Sequence, residues 1–322
     1  MLNLVLGAVA AAAALSGAQA HLPKNCAAVT APFTGTICTP VGGTGKHPAV
    51  ILLGGSEGGD SFSPIAPLFA KHGYVTASVA YFGEPGLPQT LVNIPVETVG
   101  NVVKALTART DVNGKIGIAG MSRGGEFSLL AGSTYPQIKA VVAVVPSPIA
   151  YMGLGQYNIP TGCAWSKDTK ALPCVPADDA ANQKIYIEAQ TNQPLKLTPL
   201  YEASRKANAA VTRAAFFPLE KIRGPVLCLG GQDDEMWNSS GLCDLAVTYL
   251  RKHKHAFADR EINYPNAGHM FLLAMGGPKS SMLSFTAGPT TVLFGGTAEG
   301  DAAASNDAWA QIWAFLGTSL GK

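Results

Sequence analysis

Charge is scarce in this chain. Only 14% of its 322 residues are Asp, Glu, Lys or Arg, against roughly a quarter in ordinary globular proteins. The 23 basic and 21 acidic side chains nearly cancel, leaving a formal charge of +2. Such a chain carries no electrostatic footprint for nucleic acid or any other polyanionic partner. Long hydrophobic runs are missing after the first twenty residues, which excludes a multi-span membrane protein. Histidine is rare, with six in the whole chain, so a motif that singles one out is informative. What is abundant is Gly and Pro, 36 and 22 residues, the mark of a compact chain rich in loops.

The first twenty residues run from Met1-Leu2-Asn3-Leu4-Val5-Leu6-Gly7 through an alanine-rich stretch to Ala18-Gln19-Ala20. The apolar run is short for a membrane span, and it closes on an A-x-A site. This predicts a secretory signal peptide over residues 1–20, with His21 as the new N-terminus and an exported product, periplasmic or extracellular. An uncleaved N-terminal anchor is the alternative. All six cysteines follow the leader, and an even count in an exported chain points to three disulfides. Sequence neighbours give the natural pairs Cys26–Cys38, Cys163–Cys174 and Cys228–Cys243. Cys228 has a second reading as a buried thiol, because it sits in the apolar run Val226–Leu229.

From residue 21 onward the pattern alternates strand-like and helical runs, as in a parallel sheet with crossover helices. Strands are expected at Ala49–Leu53, Tyr74–Ala80, Ile116–Ala119, Ile138–Val145, Pro225–Leu229 and Arg260–Tyr264. Helices are expected at Ser61–Lys71, Pro95–Ala108, Glu126–Ala131 and Asp307–Leu316. Residues 146–224 break the rhythm with many Pro, Gly and polar residues. Structureless loops of that length are uncommon unless functional, so this segment is expected to form a cap inserted after the sixth strand of one domain, 21–322.

The strand-like run ending at Ala119 leads into Gly120-Met121-Ser122-Arg123-Gly124 and then a helical run. A serine at the tip of a strand–turn–helix is the G-x-S-x-G nucleophile elbow of α/β-hydrolases. A hydroxyl attacks only when it is exposed, near a base and flanked by N–H donors. The base and acid of such sites follow in the order Ser, Asp/Glu, His. Gly231-Gln232-Asp233-Asp234 follows one predicted strand and Ala267-Gly268-His269 the next, which nominates His269 as base and Asp234 as acid. Asp233 is the alternative acid, with a turn-stabilising role as its other reading. One oxyanion donor is expected from the Arg123 N–H. The other is expected from the loop Gly54-Gly55-Ser56-Glu57-Gly58-Gly59, at Ser56, Glu57 or Gly58. That loop has neither a G-K-[ST] ending nor G-x-G-x-x-G spacing, so it is not read as a nucleotide cradle. The set calls for no metal and no organic cofactor.

Other features have bland readings beside sharp ones. Arg251-Lys252-His253-Lys254-His255 reads first as a solvated helix end, second as an anion or metal site. Tyr151, Tyr157 and Trp165 either line a pocket or pack against the cap's own disulfide. Glu57 either touches Ser122 or caps the helix that follows.

Together these motifs resemble a family. Ile51-Leu52-Leu53-Gly54-Gly55-Ser56-Glu57-Gly58-Gly59, Ala80-Tyr81-Phe82-Gly83, Ser122-Arg123-Gly124-Gly125-Glu126, Gly231-Gln232-Asp233-Asp234 with Trp237, and Tyr264-Pro265-Asn266-Ala267-Gly268-His269 occur in order. The series resembles the C-terminal catalytic domain of acyl-CoA thioesterases and bile acid-CoA:amino acid N-acyltransferases, with dienelactone hydrolases sharing the fold. The resemblance runs from about Ala49 to the C-terminus. It implies an α/β-hydrolase fold, mostly parallel with helices on both faces. It also implies Ser122, Asp234 and His269 as triad, and acyl transfer from a small-molecule ester or thioester. Amino-acid-conjugating members carry cysteine at the nucleophile position; Ser122 there favours transfer to water. The leader would carry the protein away from the cytoplasmic CoA pool, so a small ester or lactone is an open alternative. A peptidase and an inactive binding protein on the same fold are the remaining rivals.

Overall fold

The computed structural model describes residues 22–42 and 45–322; the predicted signal peptide and His21 lie outside the described residues. Eight strands form the central sheet: β1 Cys26–Val29, β2 Thr34–Cys38, β3 His47–Leu53, β4 Val75–Ala80, β5 Val112–Met121, β6 Ile138–Val144, β7 Val226–Gly231 and β8 Arg260–Tyr264. Their spatial order is β1-β2-β4-β3-β5-β6-β7-β8. Strands β3 to β8 are parallel, and β1 and β2 are antiparallel additions at one edge.

Parallel strands need helical crossovers, and these cover both faces of the sheet. The crossovers are α1 Ala66–Lys71, α2 Glu97–Thr107, α3 Arg123–Thr134 and α7 Ser239–Lys252, with α8 Ala298–Leu320 closing the chain. Alternation along β3 shows how the two layers arise. Ala49, Ile51 and Leu53 join a core with α2, α3 and α7, whereas Val50 and Leu52 join the opposite core with α1 and α8. A period-2 strand buried on both faces must be apolar at every buried position, as this one is from Pro48 to Leu53.

Residues 146–224 follow β6, the sixth strand. They hold the helices α4 Asp179–Gln190, α5 Thr198–Ala207 and α6 Ala209–Ala214, together with short strands at Met152–Leu154, Pro160–Cys163 and Trp165–Lys167. The Cys163–Cys174 bond ties the end of the strand Pro160–Cys163 to the segment before α4, and Cys26–Cys38 bridges β1 and β2. Cys228 on β7 is bonded to Cys243 on α7, so it is not a free thiol.

Some boundaries differ from expectation. The helix expected over Ser61–Lys71 begins only at Ala66. Ser61 is held back by a hydrogen bond to Glu57, and tight turns from Phe62 to Ile65 precede the helix. Pro67 then sits in the first turn, where its missing N–H costs nothing. The last helix starts nine residues earlier than Asp307, at Ala298. Its first turns are small residues with little periodic signal, and the Thr297 side chain caps them by accepting from the Gly300 N–H. The basic run after α7 is a helix end, but it is not wholly solvated. The His255 side chain is buried between Asp259 (2.7 Å) and the Ile222 carbonyl (2.9 Å).

Candidate active site

Where β4 lies on one side of β3 and β5 on the other, the chain reverses direction across the sheet, and a crevice opens beyond the C-terminal ends of β3 and β5. Both leading motifs end there. Ser122 follows β5 with φ 56° and ψ −122°, a strained conformation for a residue with a Cβ. The turn is made possible by its glycines. A Cβ on Gly120 would lie 2.2 Å from the Gly124 carbonyl oxygen, and one on Gly124 would lie 2.1 Å from that of Gly54. Strand, helix and neighbouring loop therefore touch backbone to backbone.

The hydroxyl of Ser122 makes no capping bond to α3. It instead meets His269 Nε2 at 2.8 Å, and His269 Nδ1 meets Asp234 Oδ2 at 2.8 Å. The other Asp234 oxygen accepts from the N–H groups of Met236 (2.9 Å) and Trp237 (3.2 Å). His269 and Asp234 are both buried. Asp233, the alternative acid, is exposed, and its N–H donates to the Ala267 carbonyl (3.0 Å), a loop role.

The loop after β3 approaches the same serine. Glu57 caps no helix. Its Oε1 accepts from the Gly55 N–H (2.8 Å) and from the Ser61 hydroxyl. Gly55 is thereby committed, which leaves Ser56 as the loop residue lining the cavities on both sides of Ser122. Gly58 lines neither cavity and packs under the Phe82 ring. The Arg123 N–H lies in the first turn of α3, where helix geometry supplies no acceptor.

Three supports escaped the sequence reading. The first is Tyr81, whose hydroxyl donates to the carbonyls of Gly54 (2.8 Å) and Gly55 (2.5 Å) and braces the loop. Burial holds its ionisation far above the ordinary range, so it stays a neutral donor. The second is Asp301, at the start of α8. Its Oδ1 accepts from the Gly268 N–H at 2.8 Å and its Oδ2 from the Ser281 hydroxyl at 2.5 Å, which fixes the residue before His269. Burial raises its pKa, opposed by those two bonds and aided by the charge on Asp234.

The third is the Arg123 side chain. It is buried and pairs with Glu126 at 2.9 Å. It also donates to the Met152 carbonyl (3.0 Å) and the Tyr201 hydroxyl (3.2 Å), both in the cap. Glu126 in turn accepts from Trp165 Nε1 (2.5 Å) and the Tyr151 N–H (3.3 Å), again in the cap. Both Glu126 oxygens act only as acceptors. Burial pushes the Glu126 carboxyl up, and Arg123 and these donors pull against it. Trp165 and Tyr151 are thus docking residues buried against α3, with Trp165 stacked on Phe127 at 4.4 Å, whereas Tyr157 is exposed.

A family model described as BAAT / Acyl-CoA thioester hydrolase C terminal matches residues 94–322. The chain belongs to this family. The match spans Ser122, Asp234 and His269. Relatives include mouse peroxisomal succinyl-coenzyme A thioesterase, 26% identical over 87% of this chain and 62% of the relative. Mouse acyl-coenzyme A thioesterase 6 is 28% identical over 85% of this chain and 60% of the relative. The chain thus spans about three fifths of the length of these BAAT-family relatives. Among solved structures, a putative dienelactone hydrolase from Klebsiella pneumoniae matches with TM-score 0.50 and 16% identity, covering 87% of this chain and 91% of that one. The fold is that of an α/β-hydrolase, as the elbow motif implied.

Proposed function

We propose that this protein is an exported serine hydrolase that cleaves an ester or thioester through an acyl-enzyme. The observation that carries the reading is the pair of 2.8 Å contacts running from Ser122 through His269 to Asp234. In this scheme His269 Nε2 takes the Ser122 proton as Oγ attacks the carbonyl carbon. Asp234 holds the imidazole in the tautomer that leaves Nε2 free, and stabilises the imidazolium once it forms. The N–H groups of Ser56 and Arg123 receive the developing oxyanion. The imidazolium then protonates the leaving oxygen or sulfur as the acyl bond breaks. A water, deprotonated by the same imidazole, releases the acid and restores Ser122.

Export rests on the leader pattern and on the three disulfides, which suit an oxidising compartment. The test is hydrolysis of p-nitrophenyl butyrate and butyryl-CoA by purified protein beside Ser122→Ala. Turnover of at least one, lost in the variant, is expected. Wild-type rates in the variant would overturn the scheme.

A further inference from the structure

Methionine is rare in this chain, with seven residues in all. Five of them, Met121, Met236, Met270, Met275 and Met282, line one cleft beside Ser122 and His269, of about 460 Å³. These five come from four separate places in the sequence: the end of β5, the Asp234 loop, the His269 loop and the segment before α8. Core packing alone gives no reason for a scarce residue to gather around one cleft. Unbranched thioether side chains adapt their shape to an apolar ligand, which is why methionine recurs on accommodating binding surfaces. On the other side of Ser122, beneath the cap, lies a smaller cavity of about 50 Å³, walled largely by aliphatic and aromatic residues such as Leu197, Leu200 and Trp237.

Electrostatics point the same way. The charge-bearing side chains lining the methionine cleft are Glu57 and His269. In the smaller cavity the Arg123 guanidinium is already committed to Glu126, Met152 and Tyr201. Recognition of phosphate calls for cations with donors to spare, and these walls offer none, while Glu57 would repel a polyanion.

Resting on the serine-hydrolase reading above, we infer the class of substrate: an uncharged ester or thioester with apolar groups on both sides of the scissile carbonyl. The larger, flexible group lies along the methionines and the smaller one beneath the cap. A CoA thioester is disfavoured by its phosphates.

Two comparisons test this. The first sets lauroyl-CoA against the lauroyl thioester of N-acetylcysteamine, which keeps the reacting group and lacks the phosphates. The neutral thioester is expected to have at least a tenfold higher kcat/KM, and equal or reversed preference overturns the inference. The second varies chain length in two ester series, acyl length on a fixed small alcohol and alcohol length on a fixed acetyl group. At least a tenfold rise in one series is expected, and two flat series overturn it. Met282→Glu should lower the long-to-short ratio about tenfold and Met282→Leu should preserve it; an unchanged ratio in Met282→Glu counts against the cleft. Labelling of each variant with a fluorophosphonate verifies that its site is assembled, and Met275→Gln at the exposed rim serves as the second variant if Met282→Glu fails to fold. Ser122 labelling with ester turnover but no preference sinks this inference and leaves the serine-hydrolase reading standing. Absence of labelling in wild type removes both.

Discussion

Arg123 and Glu126 form an ion pair of 2.9 Å that is closed off from solvent, spanning the first turn of α3, the helix that follows Ser122. Between them they hold four groups of the cap, at Tyr151, Met152, Trp165 and Tyr201. The residue whose N–H is assigned to the oxyanion is therefore also the one that docks the cap.

Breaking that pair should be costly. Glu126→Gln strands a buried guanidinium charge, and losses of about 3–5 kcal/mol are usual when one partner of such a pair is removed. The double variant Arg123→Met/Glu126→Gln should lose less than the sum of the two single changes. Chemical denaturation of the four proteins measures the coupling, and additive losses would mean the pair is not acting as a unit.

The two adjacent aspartates should separate cleanly. Asp234→Asn removes the acceptor for His269 Nδ1 and should lower kcat on the order of 10³- to 10⁴-fold. Asp233→Asn, on the exposed side of the loop, should stay within about threefold, as surface changes generally do. Steady-state kinetics on one ester decides the matter; a larger loss at Asp233 would reverse the assignment.

Asp301 should leave a mark on the pH dependence of stability. Burial raises its pKa above the ordinary 3.8 in the folded state. Just above that value the folded protein holds a proton that the unfolded chain has released, so this group's contribution to stability falls as pH rises through the window. Asp301→Asn keeps an acceptor for the Gly268 N–H and does not titrate. The melting temperature of wild type relative to Asp301→Asn should therefore fall as pH climbs from about 4 and then level off. A difference that is flat, or that grows with pH, would contradict the assignment.

The disulfide between Cys228 and Cys243 closes a separation of 15 residues. Loops of that size are worth about 3 kcal/mol in the chain-entropy account. Cys228→Ala/Cys243→Ala should lose stability on that order in urea unfolding under oxidising conditions. An unchanged midpoint would remove the bond's structural role.

Much of this architecture was legible in sequence, and for a physical reason. Strands β3, β4 and β7 and the later parts of β5 and β6 are buried on both faces, so they appear as largely apolar runs such as Ala140–Val144. Ser122, Asp234 and His269 stood out because each follows an expected strand in a Gly-containing loop. The cysteine pairs were legible because each closes a short local loop. Strands β1 and β2 were not, since Cys26–Val29 and Thr34–Cys38 are short and partly exposed at a sheet edge. The supports around the site were hidden for a different reason. Tyr81 reaches back 27 residues to Gly54, Asp301 reaches 33 to Gly268, and Arg123 reaches 78 to Tyr201. No local period records contacts of that span. Glu126 and Trp165 lie 39 residues apart and meet only once the cap folds over α3.

The central claim is that Ser122 is the nucleophile, and covalent labelling tests it most directly. Purified protein is treated with a fluorophosphonate, digested and mapped by mass spectrometry, with ester turnover followed in parallel. One adduct on Ser122, loss of turnover in step with labelling, and no adduct in Ser122→Ala are expected. Folded wild-type protein that resists the probe, or that keeps hydrolysing esters once labelled, would contradict the account.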